Sequence, residues 1–381
     1  MSIKYHSTQP QNFKSEYVEQ EIIDFVLSFP GDKIESGSIR INADIEIVDD
    51  NNEPINDIIT KKIFMNGFVG SHSLFDNVNC SSNNMGNVET LSYYNRLQST
   101  KAIASLTEQT IFNSEYICEL RCPDELVCGN MLKGVNEYAR AVAGTTALQV
   151  GTIPADFSMK LDCAFNSFVG DVFVPYVKTG DMKISLRVAP ETTALWGDAT
   201  IGTSIKYRLS NLNCTFRSIP DDGVYAKQYP YVIKGDLKQS IQSNFNNITT
   251  KFPLQTCTSM YASFIPQSYD NTNEHDSLAC HQLPNVSELQ FLFNDSSNQL
   301  ITYQIDNQQE ILDNFVQAVG STTNACSLSN VYANKAWGVG LAFSAPMNLA
   351  GQKLSLNLKS DVNSTAPYVM YAFFTGLNIL S

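Results

Sequence analysis

The sequence predicts an all-β protein: two tandem antiparallel sandwiches with short helices inserted. Two observations carry that reading. Three segments alternate apolar and polar residues with a period of two, and the chain nearly repeats itself. Lys183-Ile-Ser-Leu-Arg-Val188 returns as Lys353-Leu-Ser-Leu-Asn-Leu358, each just after a glycine, Gly180 or Gly351. The stretch from Ser73 to Leu106 has a counterpart from Glu288 to Val319, both reading as strand, polar turn, extended piece and helix. Period-two alternation means one buried and one wet face per strand. That pattern belongs to antiparallel sheets, because parallel strands are usually apolar on both faces.

Along the chain, Tyr17 to Leu27 reads either as a short helix or as an extended arm, ended by Pro30-Gly31. Ser38 to Val48 is the clearest strand. Ile39, Ile41, Ala43, Ile45 and Ile47 alternate with Arg40, Asn42, Asp44 and Glu46. Met182–Val188 and Leu354–Lys359 alternate in the same way. In the first half Leu74 to Cys80 reads as a strand and Ser81-Ser-Asn-Asn as a turn. A helix is expected from Val88 to about Leu106.

In the second half Leu289–Phe293 and Ile301–Ile305 form a hairpin around Asn294-Asp-Ser-Ser-Asn, whose side chains hydrogen-bond locally and tolerate turn angles. A helix over 307–319 follows, with Asn307 as its cap and Glu310 three residues on. Ile311, Leu312, Phe315, Val316 and Val319 form its stripe, and Gly320 its stop. Residues 108–153 have no equivalent in the second half and carry a candidate helix at 132–142. The expected domains are an N-terminal arm (1–37), a first sandwich (38–220) with that insertion, a connection (221–252) and a second sandwich (253–381). The insertion is expected at a sandwich end, on the outer surface or at a contact between subunits.

A chain of 381 residues suffices for two domains of ordinary size. Charged residues are only 17%, so Asn, Ser, Thr and Gln supply much of the polar surface. The net charge is −13 without a basic block, which argues against direct sequence-specific nucleic-acid binding. No apolar run is long enough for a membrane span. The N-terminus lacks the apolar core of a secretory signal, so the nine cysteines are expected to be reduced and mostly buried. The Asn-x-Ser/Thr triplets at Asn213, Asn247, Asn285 and Asn363 then read as chance in an Asn-rich chain.

Candidate chemistry is sparse. Cys118, Cys122 and Cys128 cluster, but the second spacing is too wide for a structural zinc pair and no histidine lies nearby, so packed thiols are expected. His275 and His281 flank Cys280, with Asp276 close, on a polar loop. A Cys–His nucleophile pair rarely arises from residues adjacent in sequence. His6 and His72 have no suggestive neighbours in sequence. Trp196 and Trp337, the only tryptophans, read as core or interface rather than as sugar platforms. No phosphate loop, nucleophile elbow or zinc-protease helix occurs. The expectation is no catalytic residue, no cofactor site and no metal site.

Residues of about 38–218 and 253–381 each hold the ingredients of an eight-stranded jelly roll with an inserted helix. The alternating strand Ile39–Ile47, the stretch Gly67–Val78, the helix segment Glu89–Leu97, the repeated Lys-x-Ser-Leu strands and a Met260–Pro266 strand opening the second half carry a resemblance. The chain resembles the double jelly-roll major capsid proteins of tailless icosahedral double-stranded DNA viruses, the adenovirus-type lineage. The resemblance covers nearly the whole chain beyond the arm. It implies a homotrimer of six upright sandwiches with a hexagonal outline, tiling an icosahedral shell. It also implies partners in neighbouring capsomers, vertex proteins and an internal membrane where one is present, and a product made in the host cytoplasm that ends in the virion. The rival readings are a duplicated sandwich serving as a glycan-binding, spike or minor vertex protein, and a β-sandwich carbohydrate-active enzyme with a carboxylate pair.

Overall fold

The computed structural model describes residues 2–54, 63–105, 118–121, 155–170, 172–197, 206–251, 254, 256–294, 299–305, 307–320, 337–349 and 353–381. The strands of the N-terminal part are β1 (Lys4–Thr8), β2 (Glu16–Tyr17), β3 (Ile22–Leu27), β4 (Asp32–Glu35), β5 (Arg40–Val48), β6 (Ile63–Phe64), β7 (Phe75–Ser82) and β8 (Gly86–Leu91). Helix α1 (Tyr94–Ser105) follows, then β9 (Ala155–Lys160), β10 (Phe173–Pro175), β11 (Met182–Val188), β12 (Trp196–Gly197) and β13 (Lys206–Pro220). The C-terminal part has β14 (Tyr229–Ile241), β15 (Phe245–Lys251), β16 (Thr256–Pro266), β17 (Glu288–Asn294), β18 (Gln299–Ile305), helix α2 (Gln308–Val319), β19 (Val339–Asn348), β20 (Lys353–Lys359) and β21 (Tyr368–Leu380).

The second unit is a jelly roll in its simplest form. One sheet runs β14-β21-β16-β19 and the other β15-β20-β17-β18. In chain order these are strands one, eight, three and six against two, seven, four and five, and every pair is antiparallel. The first unit repeats the order. Strands β3-β11-β7-β8 form one sheet, and β13-β5-β9 the core of the other, with β1 and β2 on the far side of β13. Strand β4 pairs the C-terminal end of β13 and carries β10. The repeated Lys-x-Ser-Leu segments are β11 and β20, the seventh strand of each roll. The matched stretches Ser73–Leu106 and Glu288–Val319 are the fourth and fifth strands followed by the helix.

Four expectations are corrected. Residues 1–37 are not an arm: β1 zips onto β13 from Lys4↔Ser218 to Thr8↔Cys214, and β3 onto β11, with Ile23, Phe25 and Leu27 in the core. Residues 221–252 are more than a connection, since β14 and β15 are the first two strands of the second roll. The segment Met260–Pro266 therefore lies in that roll's third strand and does not open it. The helix expected from Val88 starts only at Tyr94, because Gly86–Leu91 pairs with β7. The candidate helix 132–142, and all of the insertion 108–153 except 118–121, lies outside the described residues.

Core packing follows the alternation. Ile41, Ala43, Ile45 and Ile47 of β5 are each no more than 4% exposed. In β13 a register shift between Ser210 and Asn213, with Asn211 at φ 53°, accommodates extra residues as a bulge against β5. Strands β16 and β21 lack alternation because both faces are buried. Met260 through Ile265 and Val369 through Phe374 are all covered. Helix α2 lies over one face of that sheet. Asn307 caps it by accepting from Gln309 N at 2.9 Å, and Gly320 ends it at φ 89°. Its Ile311, Leu312 and Phe315 are buried, as the stripe predicts. Gly338 lets β19 approach β16, since a Cβ there would sit 1.7 Å from Ala262 O.

Candidate functional site: the seam between the two rolls

Helix α1 sits between the rolls, and it is buried on nearly every side although half its residues are polar. Tyr94, Asn95, Arg96, Leu97, Gln98, Ser99 and Thr100 are each no more than 5% exposed. Burial of polar groups requires partners, and the second roll supplies many of them. Asp236 Oδ2 of β14 accepts from Ser92 N at 2.6 Å and Tyr93 N at 2.7 Å, a carboxylate at the positive end of the helix dipole. Arg96 reaches Asp270 at 2.5 Å, and Lys238 Nζ and the Tyr371 hydroxyl donate to the same carboxylate at 2.9 and 2.8 Å. The Arg96 guanidinium lies 4.6 Å from the Tyr371 ring centroid, and Tyr93 meets that ring edge-on. Thr100 Oγ1 donates to Ser263 Oγ at 2.7 Å, and Ser99 donates to Leu278 O.

A second cluster lies toward the far end of α1, beside a cavity of about 500 Å³. Lys234 Nζ of β14 sits 2.7 Å from Asp162 Oδ1 and 3.9 Å from Glu89 Oε1. Asp162 Oδ2 accepts from Lys101 Nζ at 2.6 Å and Gln98 Nε2 at 2.8 Å. Glu89 accepts from the backbone N–H groups of Ala164 and Lys234, both at 2.8 Å. Burial pushes the Glu89 carboxyl above its ordinary range, despite Lys234. Burial also opposes the Asp162 charge, but Lys101 and Lys234 outweigh it and hold that carboxyl well below its ordinary value. Lys234 is likewise held above its ordinary range by Asp162 and Glu89 against burial.

Nearby, Glu119 pairs with Arg121 at 3.0 Å and with His72 Nε2 at 3.4 Å. Burial works against its charge, yet His72 and Arg121 bring the carboxyl down to about 2. Burial lowers the His72 imidazole, whose Nδ1 lies 2.8 Å from the Tyr94 hydroxyl. His72 is thus a seam residue whose partners, Glu119 and Tyr94, are remote in sequence.

The other residues singled out from sequence are not gathered into one site. Cys118 is exposed, while Cys122 and Cys128 lie outside the described residues. Among the described residues no group of three or more His, Cys, Asp or Glu is arranged to hold a metal ion. Cys280 is buried, and burial pushes its thiol up to about 12. The His281 ring lies edge-on to Tyr269 at 5.8 Å, with its pKa lowered by burial, and His275 stacks on Tyr269 at 3.8 Å. Asp276 bonds Asn66 at 2.7 Å across the seam instead of a histidine. Trp337 is in the core, and Trp196 is partly buried in the β12–β6 ribbon. His6 stacks on Phe216 and contacts Ser218 at 2.7 Å. Of the Asn-x-Ser/Thr sites, Asn213 bonds Asn42 within the sheet, Asn247 lies in β15, and Asn285 and Asn363 are exposed. The seam residues carried one local signal in sequence, the acidic and basic residues inside otherwise strand-like segments, such as Glu89 and Lys234.

Two tandem jelly rolls, each with a helix after its fifth strand, define a double jelly-roll fold. No family model matches the chain, and no curated protein matches it in sequence. Solved structures do match. The Faustovirus major capsid protein is 9% identical, with a TM-score of 0.58 over 100% of this chain and 90% of that one. A chain of the PBCV-1 virus capsid is 10% identical, with a TM-score of 0.59 over 99% of this chain and 94% of that one. The mavirus major capsid protein is 12% identical, with a TM-score of 0.53 over 98% and 88% respectively. At such identities the likeness is one of fold.

Proposed function

We propose that this chain is the major capsid protein of an icosahedral double-stranded DNA virus, three copies forming a capsomer of six upright jelly rolls. The observation that carries the reading is the tandem repeat itself. Two jelly rolls with equivalent helices, joined by a short connection, are matched end to end by capsid chains of similar length. The physics agrees, because open sandwiches leave sheet edges and ends that assembly covers. Large apolar residues are exposed where the two termini and the inter-roll connection meet: Ile3, Tyr5, Val224, Tyr225 and Ile379. Residues 4–220 form the first roll, 221–228 the connection and 229–380 the second.

The partners are then other copies, neighbouring capsomers, vertex proteins and an underlying membrane where one exists. The chain is made in the host cytoplasm and resides in the virion. It has no site that catalyses a reaction of another molecule, no cofactor or metal site and no sequence-specific contact with nucleic acid. Native mass spectrometry and electron microscopy of the purified chain test this. A trimer with hexagonal outline is expected. A monomer across a wide concentration range would return the reading to a glycan-binding or minor vertex protein. Glycan turnover abolished by one carboxylate substitution would establish the enzyme alternative.

A further inference from the structure

We propose that Lys234 and Asp162 are the site of an isopeptide cross-link, with Glu89 as its proton shuttle, that joins the two jelly rolls covalently. Among the ion pairs of the described residues, Lys4–Asp32, Lys206–Asp50 and Lys183–Asp24 each have a lysine side chain more than two-fifths exposed. Lys33 is 7% exposed, but its partners Asp221 and Asp222 are 12% and 37% exposed. Lys234 is 5% exposed, and the third member, Glu89, is fully buried. The Asp162 side chain is 24% exposed where it lines the cavity, and its contact with the buried Lys234 amine meets the proximity requirement of acyl transfer, which is otherwise the hardest part of uncatalysed amide formation.

The surroundings supply what the step needs. The nucleophile is Lys234 Nζ, 2.7 Å from Asp162 Oδ1. The other carboxyl oxygen, Oδ2, accepts from Lys101 Nζ and Gln98 Nε2, both in place before the reaction begins. Two fixed donors on one oxygen act as an oxyanion hole for the tetrahedral intermediate at Cγ. Glu89 is 3.9 Å from Nζ, and its backbone bonds to Ala164 and Lys234 hold it there. In the resting state the pair is ionised. Glu89 takes one proton from the ammonium and passes it to Asp162 Oδ1, so that a neutral amine faces a neutral carboxyl. The amine attacks Cγ, and the negative charge gathers on Oδ2 between Lys101 and Gln98. The Oδ1 hydroxyl takes a second proton from the nitrogen and leaves as water. One C–N bond forms, one C–O bond breaks, and nothing is oxidised or reduced.

The consequence is mechanical. Asp162 follows β9 of the first roll, and Lys234 lies on β14 of the second. Their bond would tie the rolls at a point otherwise held only by ion pairs, hydrogen bonds and packing. The reaction needs no partner chain, so it is testable on the purified full-length protein whether or not that protein assembles.

The experiment is intact mass measurement of the folded chain, followed by peptide sequencing after protease digestion. The expected result is a mass lower by one water, with the peptides holding Asp162 and Lys234 recovered as one branched species. Asp162→Ala and Lys234→Arg should show the full sequence mass. Glu89→Gln should stay folded by circular dichroism yet form the product at least tenfold more slowly. Asp162→Asn separates the chemistry from the fold, because it should give the same branched product by losing ammonia instead of water. A wild-type mass equal to the sequence mass, unchanged after prolonged warm incubation of the folded protein, overturns the proposal. A branched peptide through Lys101 instead of Lys234 also overturns the assignment.

Discussion

Asp236 offers the most direct test of how the rolls are held together. Its carboxylate accepts two backbone N–H bonds, from Ser92 and Tyr93, at the start of α1 in the other roll. Replacing it by alanine leaves both donors without this acceptor at a largely covered helix end. A lost cap and bonds to a charged acceptor together put the loss at about 2–4 kcal/mol. Burial already lifts this carboxyl above its ordinary range, against the backbone bonds that lower it. The charge itself is therefore unfavourable in place, and the hydrogen bonds are what stabilise. Asp236→Asn keeps an acceptor oxygen and removes the charge, so it should lose less than about 1 kcal/mol. Urea unfolding with unchanged slope is the assay, read as the midpoint shift of each variant. Equal losses for the two substitutions would refute the reasoning, since charge would then be the operative property. A loss below about 0.5 kcal/mol for alanine would show the cap to be idle.

The remaining predictions concern other parts of the fold. Deleting residues 2–27 should yield insoluble or unfolded chain by expression and circular dichroism, because β1 and β3 are strands of the first roll; a folded, soluble product would contradict their place in it. Phe315→Ala, which empties a fully buried site under α2, should lower stability by about 3–5 kcal/mol in urea unfolding. Gly338→Ala should be worse tolerated than a surface Gly86→Ala, since its Cβ would meet Ala262 O at 1.7 Å, while that of Gly86 meets nothing within 4 Å and adds only the backbone strain of φ 70°. Burial raises the Asp276 carboxyl to about 6, so its contribution is fully present below about pH 4, fades as pH rises to about 6 and is absent above. The two-unit gap bounds this at about 3 kcal/mol, less what partial exposure screens, and Asp276→Asn should flatten the slope in urea midpoints taken from pH 4 to 7.5.

Where each strand has one wet face, its place was legible from the alternation. This holds for β5, β11 and β20, and for α2, whose cap, stripe and stop are all local. The internal repeat located the equivalent strands of the two rolls before any contact was known. Strand β16 was seen but misplaced as the opening of the second roll, and β21 was missed. Both are buried on two faces, so periodicity carries no information about them. The first strands of each roll, β1 and β14, were assigned to an arm and a connection. A strand at the edge of a roll shows its membership only through the partner it zips onto, and β13 lies more than 200 residues from β1.

The pairings of the seam were illegible for a stronger reason. Arg96, Ser99 and Thr100 make α1 look solvent-facing in sequence, yet they are buried because their partners Asp270, Leu278 and Ser263 sit on another roll. Glu89 and Lys234 are 145 residues apart, and Arg96 and Asp270 are 174 apart. No sequence window spans such pairs, and one sequence alone offers no means of matching one buried charge to another. The sequence by itself determined the alternation, the turns, the caps and the duplication, all set by neighbours within a few residues. Only the tertiary structure decided which polar groups left water, because the cost of burying each one is met by a partner that folding brings from far along the chain.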